Sequence, residues 1–222
     1  LVGIRDVSLI QTPPKSRKPI ETTVRYFDWD AVVGYIEREL SRGGQVYFLH
    51  NRVNGLSFLT HKLREAFPRV VVENIHGQMS SKDLESRILS FFNGGIDILA
   101  CTTIIESGLD VTNANCIIVN DAQNFGLSQL YQIRGRVGRG QKQAHCLLFV
   151  PRKQLEQGAH RRLKTLEQYT SLGSGYDISM KDLEIRGAGS LFGYKQSGHI
   201  SSVGFEMYCD LLKSEVDLVM EN

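Results

Sequence analysis

The sequence predicts an α/β fold, a parallel sheet with helices on both faces, and behind it a second, smaller module of different character. Three observations carry this. Over residues 20–150, short apolar runs alternate with helix-length amphipathic stretches, the pattern of βαβ units whose strands are buried on both sides. The helical stretches are punctuated by capping residues in front and by glycine or proline behind. After Pro151 the alternation stops, and seven glycines fall between residues 173 and 204.

The elements follow in order. Residues 1–19 read as the end of a preceding lobe and a linker. Residues 4–10 can form one short strand, and Thr12-Pro13-Pro14 with Pro19 keeps the chain extended, since proline lacks an N–H and disfavours helix before it. Residues 20–27 are rich in β-branched and aromatic types. Asp28 or Asp30 caps a helix that runs to about Arg42 and stops at Gly43-Gly44. A buried strand is expected at 45–49, a helix at 56–67 ended by Pro68, and a strand at 70–75. An amphipathic helix at 80–92 opens on Ser80-Ser81-Lys82-Asp83 and closes at Asn93-Gly94-Gly95. Strands at 96–101 and 115–120, a helix at 127–137 and a strand at 144–150 complete this part. Residues 151–222 form the second module, with a polar helix at 154–172 and an apolar helical period over 205–220, through Met207, Leu211, Leu212, Val216 and Val219.

Bulk properties narrow the class. The chain has 222 residues with an ordinary apolar fraction, enough for one large domain and an appended unit. No apolar run is long enough to span a membrane, and nothing at the start reads as a signal peptide. The first residue is leucine, which suggests a piece of a longer protein. The net charge of +2 hides local basic clusters at Lys15 to Lys18, Arg134 to Lys142 and Arg161 to Lys164. Taken singly, each cluster is best read as a solvated face. The four cysteines, Cys101, Cys116, Cys146 and Cys209, have no metal-ligand spacing, and the first three sit in strand-like runs. They read as reduced structural residues, which fits a cytoplasmic protein.

Three stretches are candidates for chemistry. Gln132-Ile133-Arg134-Gly135-Arg136-Val137-Gly138-Arg139 puts three arginines in six residues between glycines. The guanidinium is always charged and its planar fork matches phosphate oxygens, while glycine permits close backbone approach. A basic helix end on the surface would have the same composition, so spacing alone does not decide. Cys101-Thr102-Thr103-Ile104-Ile105-Glu106-Ser107-Gly108-Leu109-Asp110 follows a strand, where ligand loops of open sheets sit beyond the carboxyl ends. Alone it is an ordinary connection with Thr103 as a helix cap. His76-Gly77, after the strand at 70–75, allows close approach of a nucleic-acid phosphate. A lone histidine there is more often structural.

In order and spacing these stretches together resemble the C-terminal RecA-like lobe of superfamily 2 helicases. The resemblance implies that Arg139 is an arginine finger, that Arg136 contacts nucleotide phosphates and that Gln132 senses the nucleotide. Gly108 and Asp110 would join the nucleotide site to DNA, and His76, Gly77, Thr102 and Thr103 would contact the nucleic-acid backbone. Gly3-Ile4-Arg5-Asp6, Phe125-Gly126-Leu127-Ser128-Gln129-Leu130 and Asp182-Leu183-Glu184-Ile185-Arg186-Gly187-Ala188-Gly189 are similar to the transcription-repair coupling factor family, with the RecG helicases related. This closer resemblance covers essentially the whole chain. It implies a helical hairpin and loop in residues 151–222, with Arg162, Arg186 and Gln196 coupling ATP turnover to movement on double-stranded DNA. The shorter segment between the strands at Leu49 and Val70 favours the coupling factors over RecG.

The sequence lacks a Gly-x-x-x-x-Gly-Lys-Ser/Thr phosphate cradle and an acidic box for magnesium. ATP with Mg²⁺ would therefore be held mainly by a first RecA-like lobe, and the piece alone is not expected to hydrolyse ATP. RNA polymerase and excision-repair proteins would be reached through other domains, and no membrane is involved. A non-enzymatic DNA-binding module on a degenerate RecA-like fold is the reading of another class. DNA contact should be to the backbone, salt-dependent and indifferent to sequence.

Overall fold

A computed structural model describes residues 18–102, 111–152, 155, 157–169, 177–179 and 181–182. Six strands run in one sheet: β1 Glu21–Tyr26, β2 Gln45–His50, β3 Val72–Ile75, β4 Ile98–Cys101, β5 Ala114–Asn120 and β6 His145–Val150. Their order is β1-β6-β5-β2-β4-β3 and every pairing is parallel. The helices are α1 Trp29–Ser41, α2 Val53–Ala66, α3 Ser81–Phe92, α4 Leu127–Arg134 and α5 Gln157–Gln168. The α/β expectation therefore holds. The expected strand at 4–10, the linker before residue 18 and the helix at 205–220 lie outside the described residues.

Both faces of the sheet are covered, as the alternation along each strand requires. Val46 and Phe48 of β2 face α1 and α2, where Val32, Ile36, Leu59, Leu63 and Phe67 meet them. Tyr47 and Leu49 face the other way, into a cluster with Phe91 of α3, Leu130 and Ile133 of α4, and Leu163 and Leu166 of α5. Successive residues of one strand thus serve two cores, which is why the run reads as continuously apolar. Cys101, Cys116 and Cys146 are buried free thiols. Burial pushes the Cys146 thiol up to about 12, so it packs as a small apolar side chain.

Boundaries differ from expectation by a few residues, with local causes. Asp28 rather than Asp30 caps α1, its carboxylate accepting from the Asp30 N–H at 3.2 Å. Gly43 closes that helix at φ +71°. Ser80 caps α3 as expected, accepting from the Asp83 N–H at 3.1 Å. Helix α2 begins three residues before the expected 56, directly after the turn out of β2. Helix α4 ends at Arg134 instead of Val137, because Gly135 closes it. The arginine segment beyond Gly135 is consequently loop, not helix.

Candidate functional site

Connectivity sorts the candidate residues onto opposite ends of the sheet. In a parallel sheet the chain leaves each strand at the carboxyl end and a returning helix brings it back to the amino end. Helix α4 starts just after β5 and returns in this way, so Arg136 and Arg139 emerge at the amino end. Gly138 confirms it. A Cβ there would lie 3.0 Å from both Ala144 and Ile20, the residues just before β6 and β1. Gly138 takes φ +73°, a conformation glycine adopts without the strain of a side chain. Around it Val137 is buried, Arg136 half-buried, and Gln132 and Arg139 exposed. Ligand loops were expected beyond the carboxyl ends of the strands, and this segment is not one of them. Its arginines stand at the opposite end, about 20 Å away along a six-residue strand.

The carboxyl end gathers the other set. Ile75 and Cys101 are in register on β3 and β4, so His76 and Thr102 follow side by side, and the Thr102 N–H donates to the Ile75 carbonyl at 3.3 Å. Thr102 is buried, and His76 Nδ1 is buried without a hydrogen-bond partner among the described residues. Thr103, Gly108, Asp110, Arg186 and Gln196 lie outside the described residues. The segment holding the first three joins Thr102 at the carboxyl end to Val111, which leads into β5 at the amino end.

Beside His76 and Thr102, a groove of about 590 Å³ opens between β2 and β5, lined by His50, Arg52, Asn54, Gly55, Asp121, Gln123 and Asn124. None of these residues was singled out from the sequence. Asp121 turns the chain out of β5 in the left-handed region at φ 54°, which aspartate tolerates. A single 3-10 turn at Ala122–Asn124 follows and carries Gln123 to the groove. Asn120 Nδ2 donates to His50 Nδ1 at 3.1 Å, which leaves the proton of the neutral ring on Nε2. Burial holds the His50 pKa below its ordinary value, so the ring is neutral at pH 7. A Cβ on Gly55 would collide with that Nε2, so only glycine lets the ring lie against the first turn of α2. No side chain caps this turn. A neutral N–H donor, an arginine and an uncapped helix start suit an anion.

Helix α5 is bonded both to the turn after β5 and to the end of α4. From its middle, Arg162 Nη2 donates to the Gln123 carbonyl at 3.1 Å. At its finish, Arg134 Nη1 donates to the Leu166 and Tyr169 carbonyls at 3.1 and 2.6 Å, with its guanidinium 5.0 Å from the Tyr131 ring centre. Arg162 was expected to hold a hairpin in register by bonding backbone or carboxylate. Its acceptor is backbone, but on the turn after β5. Arg134 was expected only as one arginine of a phosphate-binding run. It is 4% exposed and closes the carbonyl end of a helix. The sequence did hold a signal: Leu127, Leu130 and Arg134 share one helical face by their spacing, so the arginine stands on the buried stripe.

The exposed amino-end arginines fit a polyphosphate. The same segment offers no carboxylate, so a divalent cation would have to be held elsewhere.

Comparison with known proteins agrees with this geometry. The family model described as "Helicase conserved C-terminal domain" matches residues 29–141. The transcription-repair-coupling factor of Myxococcus xanthus is 49% identical over 215 residues, which are 96% of this chain and 18% of that protein. The Bacillus subtilis transcription-repair-coupling factor is 46% identical over 218 residues, 98% of this chain and 18% of that protein. The chain thus spans under a fifth of the length of these relatives. Among solved structures, RecG bound to a three-way DNA junction is 32% identical with a TM-score of 0.69, over 80% of this chain and 24% of that one. Domain 2 of the DEAD-box helicase Mss116p bound to an RNA duplex shares the fold, with a TM-score of 0.56 at 19% identity, over 75% of this chain and 69% of that one.

Proposed function

Because the chain belongs to the helicase conserved C-terminal domain family and is homologous to a segment of the transcription-repair-coupling factors, we propose that it is the second motor lobe, with the translocation module, of an ATP-driven translocase on double-stranded DNA. The whole protein would push a stalled RNA polymerase off a lesion and bring in excision repair through domains outside this chain. A RecG-like role in fork remodelling is the neighbouring reading. Identity of 49% to a coupling factor against 32% to RecG favours the former.

One observation carries the proposal. The segment carrying Arg134, Arg136 and Arg139 and the groove lined by His50, Arg52, Asp121 and Gln123 lie at opposite ends of one sheet, and α5 is bonded to both through Arg134 and Arg162. Arg139 and Arg136 would reach across a cleft to ATP held by the first lobe. ATP with Mg²⁺ supplies the phosphoryl group whose transfer drives the cycle. Arg139 would stabilise the charge spread over the γ-phosphate oxygens, Arg136 would hold the neighbouring phosphates, and Gln132 would register the bound nucleotide. At the carboxyl end, His76, Gly77, Thr102 and Thr103 would meet the DNA backbone together with the groove of His50, Arg52 and Gln123. Gly108 and Asp110 would join the two sites. The module of residues 151–222, with Arg162, Arg186 and Gln196, would turn closure of the cleft into movement.

Two measurements test this. The isolated chain should show no ATP turnover, and fusion to its native first lobe should restore DNA-stimulated turnover. Robust hydrolysis by the isolated chain would refute the two-lobe reading. In the fused protein, Arg52→Ala should weaken duplex binding to the same extent on every sequence. The slope of log affinity against log salt should become shallower by about one, as for the loss of one phosphate contact. An unchanged slope would remove Arg52 from the DNA track.

A further inference from the structure

A second charged residue occupies a buried helical stripe where an apolar one is expected. Glu39 stands on the same face of α1 as Val32 and Ile36, and it is 1% exposed. Burial raises its carboxyl pKa above the ordinary value, and the hydrogen bond from Arg42 offsets only part of that rise. A lone carboxylate is costly at such a place unless it is paired. Its partner is Arg42, which donates from Nε at 2.9 Å and also from Nη2. A Cβ on Gly44 would collide with the same carboxylate, so the glycine after the α1 stop also makes room for it.

Arg42 is not used up by Glu39. Its Nη2 also donates to the Gln143 carbonyl at 2.7 Å, and Lys142 Nζ donates back to the Arg42 carbonyl at 2.8 Å. Gln143 Nε2 in turn donates to the Pro19 carbonyl at 2.7 Å. These bonds fix the far end of the loop that carries Arg139. The near end is fixed by Val137 and Gly138, packed into the core. Arg139 therefore sits on a short span between two anchors, and one of them is held by a partly buried ion pair from a different helix.

We propose that Glu39 and Arg42 act as a positioning pair that holds the Arg139 loop in register with the nucleotide phosphates. This rests on the nucleotide reading above. Glu39 aims the Arg42 guanidinium and Arg42 holds the loop, while neither touches the nucleotide. A loosened anchor would leave nucleotide binding by the first lobe intact and cost transition-state alignment, for which a displacement of an ångström is enough.

The test uses the full-length protein with DNA present and compares Arg42→Met, Glu39→Met/Arg42→Met and Arg139→Ala. Arg42→Met alone strands the buried carboxylate and should lower the melting temperature. The double variant removes both charges and should recover it. A purely structural pair would recover turnover along with stability. A positioning pair would not. The double variant should lose roughly tenfold in kcat, with KM for ATP changed less than about twofold. Amide exchange at residues 139–143 should speed up by about tenfold while β6 stays protected. Wild-type kcat or unchanged exchange in the double variant, with Arg139→Ala inactive, would overturn this inference alone. Wild-type turnover in Arg139→Ala would overturn the nucleotide reading and this inference with it.

Discussion

Arg139→Ala in the intact two-lobe protein is expected to lower ATP turnover by about 10³-fold or more, with little change in KM for ATP. The size follows from what an arginine finger does. Charge on the transferred phosphoryl group grows only as the bond to the leaving oxygen breaks, and a guanidinium held in place meets that charge without reorganising. On the proposed reading the other lobe holds most of the nucleotide in the ground state, so kcat should carry the loss. The geometry is suited to this, because the residue is exposed at the amino end of the sheet and its loop is anchored on both sides. Arg139→Lys should recover little, since an ammonium lacks the planar fork. Steady-state turnover at saturating DNA gives the readout, and a loss confined to KM would mean that Arg139 only binds the ground state.

Arg134→Met is expected to uncouple movement from hydrolysis and to lower stability by about 2–3 kcal/mol, the loss of charge-assisted bonds to two buried carbonyls. Methionine keeps much of the volume and keeps packing against Tyr131 possible. It removes the cation that closes the carbonyl end of α5, which also loses a favourable interaction with that helix end. Arg136 and Arg139 remain where Gly135 and Gly138 turn the chain, so hydrolysis should survive in larger part than translocation. The measurement is the ratio of DNA displaced to ATP consumed, taken well below the lowered melting temperature. Equal fractional losses in both would make Arg134 a stability residue only.

A second tie reinforces this view of the α4 region. Ser128 Oγ donates to Asp182 Oδ2 at 2.7 Å, so the first turn of α4 is joined to the chain beyond α5 just as its last turn is joined to α5 itself. Both ends of the short helix before the arginine loop are therefore bonded to the segment that comes after the sheet.

Much of this was legible in the sequence. Alternating apolar runs fixed the α/β class because a strand buried on both faces has no polar side. Asp28, Ser80, Gly43 and Gly94 marked helix ends through backbone requirements that act within a few residues. The arginines between glycines made that segment a candidate for phosphate, while their spacing alone left a basic surface helix end open as the other reading. Local rules also limited the reading. The helix was drawn past Gly135 because apolar spacing continued to Val137, while a glycine cap ends a helix whatever residues lie beyond it.

The sequence by itself determined the elements and the two buried faces, since each depends on neighbours within a helical turn or a strand. The tertiary structure alone decided where those residues stand relative to one another. Only chain reversal through α4 carries Arg136 and Arg139 to the amino end of the sheet, away from His76 and Thr102. Only the parallel order, with β5 next to β2, brings His50 and Arg52 together with Gln123. The roles of Arg134, Arg162 and Glu39 were hidden for the same reason. A charged side chain announces its charge in the sequence, but its partner carbonyl or guanidinium is chosen by packing, and for Arg134 and Arg162 that partner lies more than thirty residues away.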